Sequence, residues 1–228
     1  MTRPPLIIAI DGPAGAGKSA VAREVAVRLR VPYLDTGAMY RAVGLLAHRA
    51  GLVGELDEAG RTTVVEIARR IEIAFSGDPR AQRVTVGGED VSEALRTPDA
   101  SRMASVVSAI PEVRVEMVRR QREIAARTGG VVEGRDIGTV VFPDAPVKVF
   151  LTATPEVRAR RRFDELRGKG AVVDWEQVLA EQIERDRRDS TREASPLRPA
   201  EGATVVDTSG LTLAEVVAAV VALLPKTP

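Results

Sequence analysis

A chain of 228 residues, 44% hydrophobic and 29% charged, suits one α/β domain carrying an inserted piece. Its 33 Lys+Arg against 32 Asp+Glu leave a net charge of +1, which argues against a general nucleic-acid binder; the absence of Cys excludes disulfides and thiolate zinc sites. A single histidine, His48, rules out a His-rich metal site, and no run reaches the ~18 apolar residues of a membrane span, so a cytoplasmic protein without a membrane partner is expected.

Pro4, Pro5, Pro225 and Pro228 mark short frayed ends. "LIIAI" (6–10) is a short Ile-rich run that reads as a buried parallel strand. Directly after it, Gly12, Gly17, Lys18 and Ser19 satisfy G-x-x-x-x-G-K-[ST]. Gly12, Pro13, Ala14, Gly15, Ala16, Gly17, Lys18, Ser19 and Ala20 are expected to wrap a nucleotide's phosphates. The glycines let the backbone curl with its N–H groups inward, and the helix that follows adds its N-terminal dipole. Lys18 is expected to reach the β- and γ-phosphates and Ser19 to help hold Mg²⁺. This points to a nucleoside triphosphate but leaves the reaction open, since ATPases, GTPases and small-molecule kinases share the motif.

"VPYLD" (31–35) reads as a second strand and "TGAMYRAVGLLAHRA" (36–50) as a second helix, with Thr36 or Gly37 near its N-cap. Tyr40 and Arg41 follow one turn in, so a hydroxyl, a phenol and a guanidinium face one opening; the alternative is a plain cap, a core-edge aromatic and a solvated charge. From about 60 to 100 the rhythm changes. "RRIEIAFSG" (69–77) and "QRVTVGGEDV" (82–91) alternate with period two around turn residues, which predicts antiparallel strands in a small inserted lobe.

A helix is predicted over 111–127, carrying Arg114, before the strand "GVVEG" (130–134). Glu133, Arg135 and Asp136 then stand at the strand's carboxyl end, where open α/β sheets bind ligands. Arg135 is expected to grip a phosphate while Asp136 orients a donor or a metal-bound water; the alternative is an ordinary ion pair capping the strand. "VKVFL" (147–151) and "ATVVD" (203–207) complete the strands. Between them, Thr154 and Pro155 open a helix on which Arg158 and Arg162 share a face, with Arg161 beside them. The helix over 174–189 leads to Arg185, Asp189 and Arg192 at spacings of four and three, and a last helix spans 212–224. Guanidinium forks suit phosphate oxygens, though a salt-bridged solvated surface accounts for many of these charges. Together the elements predict an α/β fold: a P-loop core with a five-stranded parallel sheet flanked by helices, an inserted β-containing lobe and a helical lid. Its layout is that of a phosphotransferase with a phosphorylated acceptor.

The segments "IDGPAGAGKS", "LDTGAMYR", "VSEALRTPDASRMASVVSAIPEVR", "RRQR", "VVEGRDIGTVVFPDAPVKVFLTATPEVRARRR" and "ERDRRDSTREASPLRPA" together resemble the bacterial cytidylate kinases, nucleoside monophosphate kinases of the P-loop class. The resemblance implies transfer of the ATP γ-phosphoryl group to CMP or dCMP with Mg²⁺. It implies a core of 1–35 and 115–224, an acceptor region of 36–114 holding the lobe, and a lid at 155–170. By similarity Thr36, Tyr40 and Arg41 line the acceptor site, Ser105 contacts cytosine, and Arg114 and Asp136 serve base recognition or orient nearby groups. Arg135 reaches the acceptor phosphate and Asp189 the sugar hydroxyls, with Arg185 and Arg192 near. Arg158, Arg161 and Arg162 resemble lid arginines over ATP, so that Lys18, Arg135, Arg158, Arg162 and Arg185 carry the catalytic charge. Glu133, where related kinases usually have Asp, would orient Mg²⁺-bound water together with Ser19. Competing readings are an adenylate-, guanylate- or shikimate-kinase-like enzyme and a nucleotide-dependent switch ATPase; the switch would want a motif such as N-K-x-D, which is not found. A monomer is the default expectation.

Overall fold

Chain order begins with β1 (Ile7–Asp11), α1 (Lys18–Leu29), β2 (Tyr33–Asp35), α2 (Thr36–Arg49) and α3 (Glu58–Arg70). Next come β3 (Ile73–Ser76), β4 (Arg83–Val86), β5 (Glu89–Asp90), α4 (Pro98–Val107), α5 (Pro111–Thr128) and β6 (Gly130–Glu133). The chain closes with β7 (Val147–Thr152), α6 (Pro155–Gly168), α7 (Trp175–Thr191), β8 (Thr204–Asp207) and α8 (Leu213–Ala222). This computed structural model describes residues 5–225, so the expected frayed prolines Pro4 and Pro228 lie outside the described residues.

The five predicted core strands form one parallel sheet in the order β2-β6-β1-β7-β8. Side chains alternate across a strand, so β1 feeds two cores. Ile8 and Ile10 pack with Val21, Val25, Val216 and Val220 of α1 and α8. Ile7 and Ala9 face Met39, Val43, Val113 and Met117 of α2 and α5. Because β6 lies between β1 and β2, the loops after β1 and β6 open side by side at the carboxyl edge. Every candidate group that ends a strand therefore meets its neighbours there.

The inserted lobe is a three-stranded antiparallel sheet in the order β3-β4-β5. Gly87 and Gly88, both at positive φ, make the tight hairpin turn that "VGGED" predicted. The expected start of the alternation at 69 needs correction, since α3 occupies the lobe's first third. Arg69 and Arg70, read as the start of the alternation, close this helix, capped by Asp57 and buried along Gly60, Val64 and Ala68. The true alternation starts only at Ile73. α4 at the other end was not predicted either. Its apolar stripe of Ala100, Met103 and Val107 is short and interrupted by serines, which hides the helical period.

Two helix contacts matter for the site. α6 and α7 are joined by Phe163 and Trp175, edge to face at 5.9 Å, with Arg160 lying 4.6 Å from the indole centroid. α2 crosses α4 at Gly44, where a Cβ would stand 2.9 Å from the Ala104 nitrogen. Gly44→Ala would gain ~1 kcal/mol of helix propensity, but forcing backbones apart costs about 1–3 kcal/mol. The clash is expected to win, lowering the urea midpoint; an unchanged or raised midpoint would remove Gly44 from the list of packing constraints.

Candidate active site

Gly12 opens the loop at φ +146, and a Cβ there would lie 2.0 Å from the Leu151 carbonyl oxygen, so only glycine lets β1 pass β7 and turn. The next four carbonyls each accept a side-chain hydrogen bond. Lys18 Nζ donates to the Pro13 carbonyl at 2.7 Å, and Arg158 Nη1 and Gln182 Nε2 donate to that of Ala14, each at 3.2 Å. Arg161 Nη1 donates to the Gly15 carbonyl and Thr208 Oγ1 to that of Ala16, both at 3.2 Å. Among the described residues, the N–H groups of 14–17 make no backbone hydrogen bond. With no backbone acceptor taking them, these donors are free to meet an anion.

Glu133 is the hub beside the cradle. Its Oε2 accepts Ser19 Oγ at 3.0 Å, its Oε1 accepts the Tyr33 hydroxyl, and its carbonyl accepts Thr36 Oγ1 at 2.7 Å. Burial, and then the charge of Asp35, push the Glu133 carboxyl upward against the pull of Lys18. Lys18 is itself held well below the ordinary lysine range, first by burial and then by Arg135 and Arg185. Arg185 is lowered to about 10 by burial and by Arg135. Three cations in one cleft, each costing the others, make an environment that a polyanion would relieve.

Across the crest a second cluster forms. Arg114 of α5 pairs with Asp136, both side chains buried, and lies 5.7 Å from the centre of the Tyr40 ring. Burial raises the Tyr40 hydroxyl to about 12, so it stays protonated and able to donate. Arg114 also donates to the Ser108 carbonyl at 3.3 Å, one helical turn after Ser105, which is half-buried on α4. Arg135 Nε donates to Asp189 Oδ2 at 3.0 Å; burial pushes the Asp189 carboxyl up, yet Arg135 and Arg185 hold it below its ordinary value. Arg192 caps the end of α7 and donates to the Ser195 carbonyl at 2.5 Å, with Nη2 buried and without a partner.

Asp35 is the N-cap of α2, with Thr36 and Gly37 next to it as expected; it accepts the Ala38 N–H at 2.9 Å and pairs with Arg41 at 2.7 Å. Arg158 and Arg162 occupy unlike surroundings. Arg158 is buried, paired with Asp186 at 2.6 Å and bonded to the Ala153 carbonyl at 2.8 Å, whereas Arg162 is half-exposed and pairs with Glu165 at 2.9 Å. Arg161 is fixed to Thr208 by bonds of 3.0 and 2.6 Å. Arg192 is the C-cap of α7, near Arg114, Asp136, Asp189 and Tyr40.

Sequence reasoning missed Asp11, Tyr33, Gln182, Asp186 and Thr208. Asp11 was legible as a lone charge ending an apolar strand. Asp186, set among alternating Arg and Asp, carries no signal that separates it from a solvated pair.

The sequence model of the cytidylate kinase family matches residues 8–226. The chain belongs to that family. It is 50% identical over 212 residues to the cytidylate kinase of Corynebacterium efficiens, covering 92% of this chain and 90% of that one. It is 52% identical over 210 residues to the cytidylate kinase of Caldanaerobacter subterraneus subsp. tengcongensis, again covering 92% and 90%. Among solved structures, an uncharacterized protein from Eubacterium ventriosum superposes with a TM-score of 0.53 at 12% identity, covering 97% of this chain and 99% of that chain; the likeness is one of fold.

Burial raises Asp11 from its ordinary 3.8 to about 6, outweighing two backbone N–H bonds that pull the other way. A carboxyl raised by folding adds stability below its unfolded pKa and loses it as pH climbs through the folded one. The contribution is on the order of 3 kcal/mol. The stability of the native chain relative to Asp11→Asn is therefore expected to fall between about pH 4 and 6, the window of that shift. Paired urea titrations read this directly, and a flat difference would contradict the burial of a titrating Asp11.

Proposed function

We infer that this member of the cytidylate kinase family transfers the γ-phosphoryl group of ATP to CMP or dCMP, giving CDP or dCDP and ADP. One observation supports the reading beyond the family match: a loop whose N–H groups at 14–17 make no backbone bond leads to Lys18 at the same sheet edge that carries a buried Arg114–Asp136 pair beside Tyr40. Cytosine presents an amino donor beside ring-nitrogen and carbonyl acceptors. A carboxylate next to a guanidinium is the complement of that edge. Uracil reverses the polarity at the amino position and would set its carbonyl against Asp136.

The acceptor is already an anion, so little covalent work falls to the protein. Its task is to neutralise two polyanions and align the attacking oxygen with the γ-phosphorus. In this reading Lys18 meets the β- and γ-phosphates, and Arg135 and Arg185 take the acceptor phosphate. Arg162, half-exposed on α6, would reach the donor phosphates by leaving Glu165, and Arg158 and Arg161 would brace the cradle through their bonds to its carbonyls. Asp189 and Arg192 border the sugar, and Ser105 approaches the base from α4. The reading assigns 36–114 to the acceptor region, 155–170 to the lid and the remainder to the core, in a monomeric enzyme. No described helix is long and apolar enough to cross a membrane.

The donor set suits Mg²⁺. Ser19 Oγ and Glu133 Oε2 are hard oxygens 3.0 Å apart beside the cradle, and no described group of three or more acidic or histidine side chains forms a cage of its own. Mg²⁺ bound by one carboxylate, waters and substrate phosphates needs no more than that. Ser19 and Glu133 would hold it, and it would supply charge neutralisation between the β- and γ-phosphates. Tyr33 fixes the second carboxylate oxygen and so orients the first.

A coupled assay across four acceptors tests the assignment. CMP and dCMP are expected to be turned over, with UMP and AMP far behind; equal rates on AMP would favour an adenylate-kinase-like enzyme instead. For the cradle, Lys18→Ala is expected to lower kcat by about 10²–10³ with folding retained, as for other donors aimed at developing charge. Turnover close to that of the native enzyme, together with an unchanged KM for ATP, would defeat the role given to Lys18.

A further inference from the structure

β1 ends on a carboxylate that turns across the crest, away from the cradle it precedes. Asp11 Oδ1 accepts the Ile137 N–H at 2.8 Å and Oδ2 accepts the Gly138 N–H at 2.7 Å, with the residue 3% exposed. Pairing between β1 and β6 ends just before this, at the bond from Gly134 N–H to the Ile10 carbonyl of 3.0 Å. Beyond Gly134 the chain leaves the sheet and makes one wide turn, Ile137–Val141, whose first N–H groups have no partner within the turn. Asp11 takes two of them. At the far end Arg122 donates to the Val140 and Val141 carbonyls at 2.7 and 2.9 Å. The turn is thus clamped by an anion at its amino end and a cation at its carboxyl end, in the sense its dipole favours.

Arg135 and Asp136 lie immediately before the clamped N–H groups, and Gly12 follows Asp11 directly. One side chain therefore joins the first residue of the cradle to the segment that bears the acceptor-site groups. Resting on the reading of that segment as the acceptor site, we propose that Asp11 is a positioning residue: it sets Arg135 and Asp136 in register with the phosphate cradle, touching neither substrate. Lys18 from α1 and Asp136 from the clamped segment are the charged groups that face it.

Asparagine has the same size but one acceptor oxygen, and its amide hydrogens would confront the second N–H. Asp11→Asn is therefore expected to free the segment at one point, raising the KM for CMP by about tenfold or more. The KM for ATP should move far less, because the cradle keeps its own carbonyl contacts. A purely structural role would move both constants together or neither. Asp11→Glu keeps two acceptor oxygens but displaces them by a methylene, and is expected to shift the same constant by a smaller factor. Calorimetric titration of CMP into each folded variant gives the same comparison without turnover; if the Asn variant does not fold, the Glu variant alone carries the test. Equal changes in both KM values, or none in either, would overturn the proposal. Absence of CMP turnover by the native enzyme in the same assay would overturn the acceptor reading itself, and the proposal with it.

Discussion

Lys18, Arg135 and Arg185 are crowded into one cleft where burial and mutual repulsion weaken the hold of Lys18 and Arg185 on their protons. Holding cations out of water is costly unless opposite charge is fixed close by. The surrounding fold is arranged around that cost. Glu133 offsets Lys18 at the end of β6, Asp189 offsets Arg135 from α7, and Asp136 pairs with Arg114 at the end of α5's buried face. Each anion stands on a different element, so the sheet order that brings β1, β6 and β2 together is also what makes the charge arrangement tolerable. A site balanced in this way is one that anionic groups would relieve, replacing repulsion by attraction.

The cradle's precision depends on what lies behind it. Four successive carbonyls are held by donors from α1, α6, α7 and the end of β8. Arg158, Gln182 and Asp186 knit α6 and α7 to the same loop, since the Gln182 amide bonds both the Ala14 carbonyl and Asp186, each at 3.2 Å. Three residues on from Gln182 and Asp186, the same helix carries Arg185 and Asp189 toward the other cluster. α7 therefore contacts both halves of the cleft on adjoining stretches of its surface.

Much of this was legible in the sequence because it rests on local rules. The glycine spacing of the cradle, the five apolar strands and the charges ending at Glu133, Arg135 and Asp136 follow from steric freedom, burial and the crest of an open sheet. What stayed hidden depends on tertiary partners. α3 was concealed by a β-like alternation that begins only three residues after it ends, and α4 by its serines. The division of Arg158 from Arg162 was beyond a helical wheel, which gives them one face; Asp186, from a separate helix, draws only the first of them inward. The N-cap of α2 fell to Asp35, whose extended backbone precedes the first helical residue Thr36 and whose carboxylate accepts the Ala38 N–H.

The chain's aromatic economy has a practical side. Its only tryptophan, Trp175, lies where α6 meets α7, against Phe163 and under the Arg160 cation, and its only tyrosines, Tyr33 and Tyr40, stand one beside each half of the cleft. Every phenol or indole able to emit light is thus stationed on the working parts of the molecule, with none scattered elsewhere to blur the signal. Selective excitation of the indole reads the α6–α7 joint alone, which gives this enzyme a built-in, label-free optical gauge of its own.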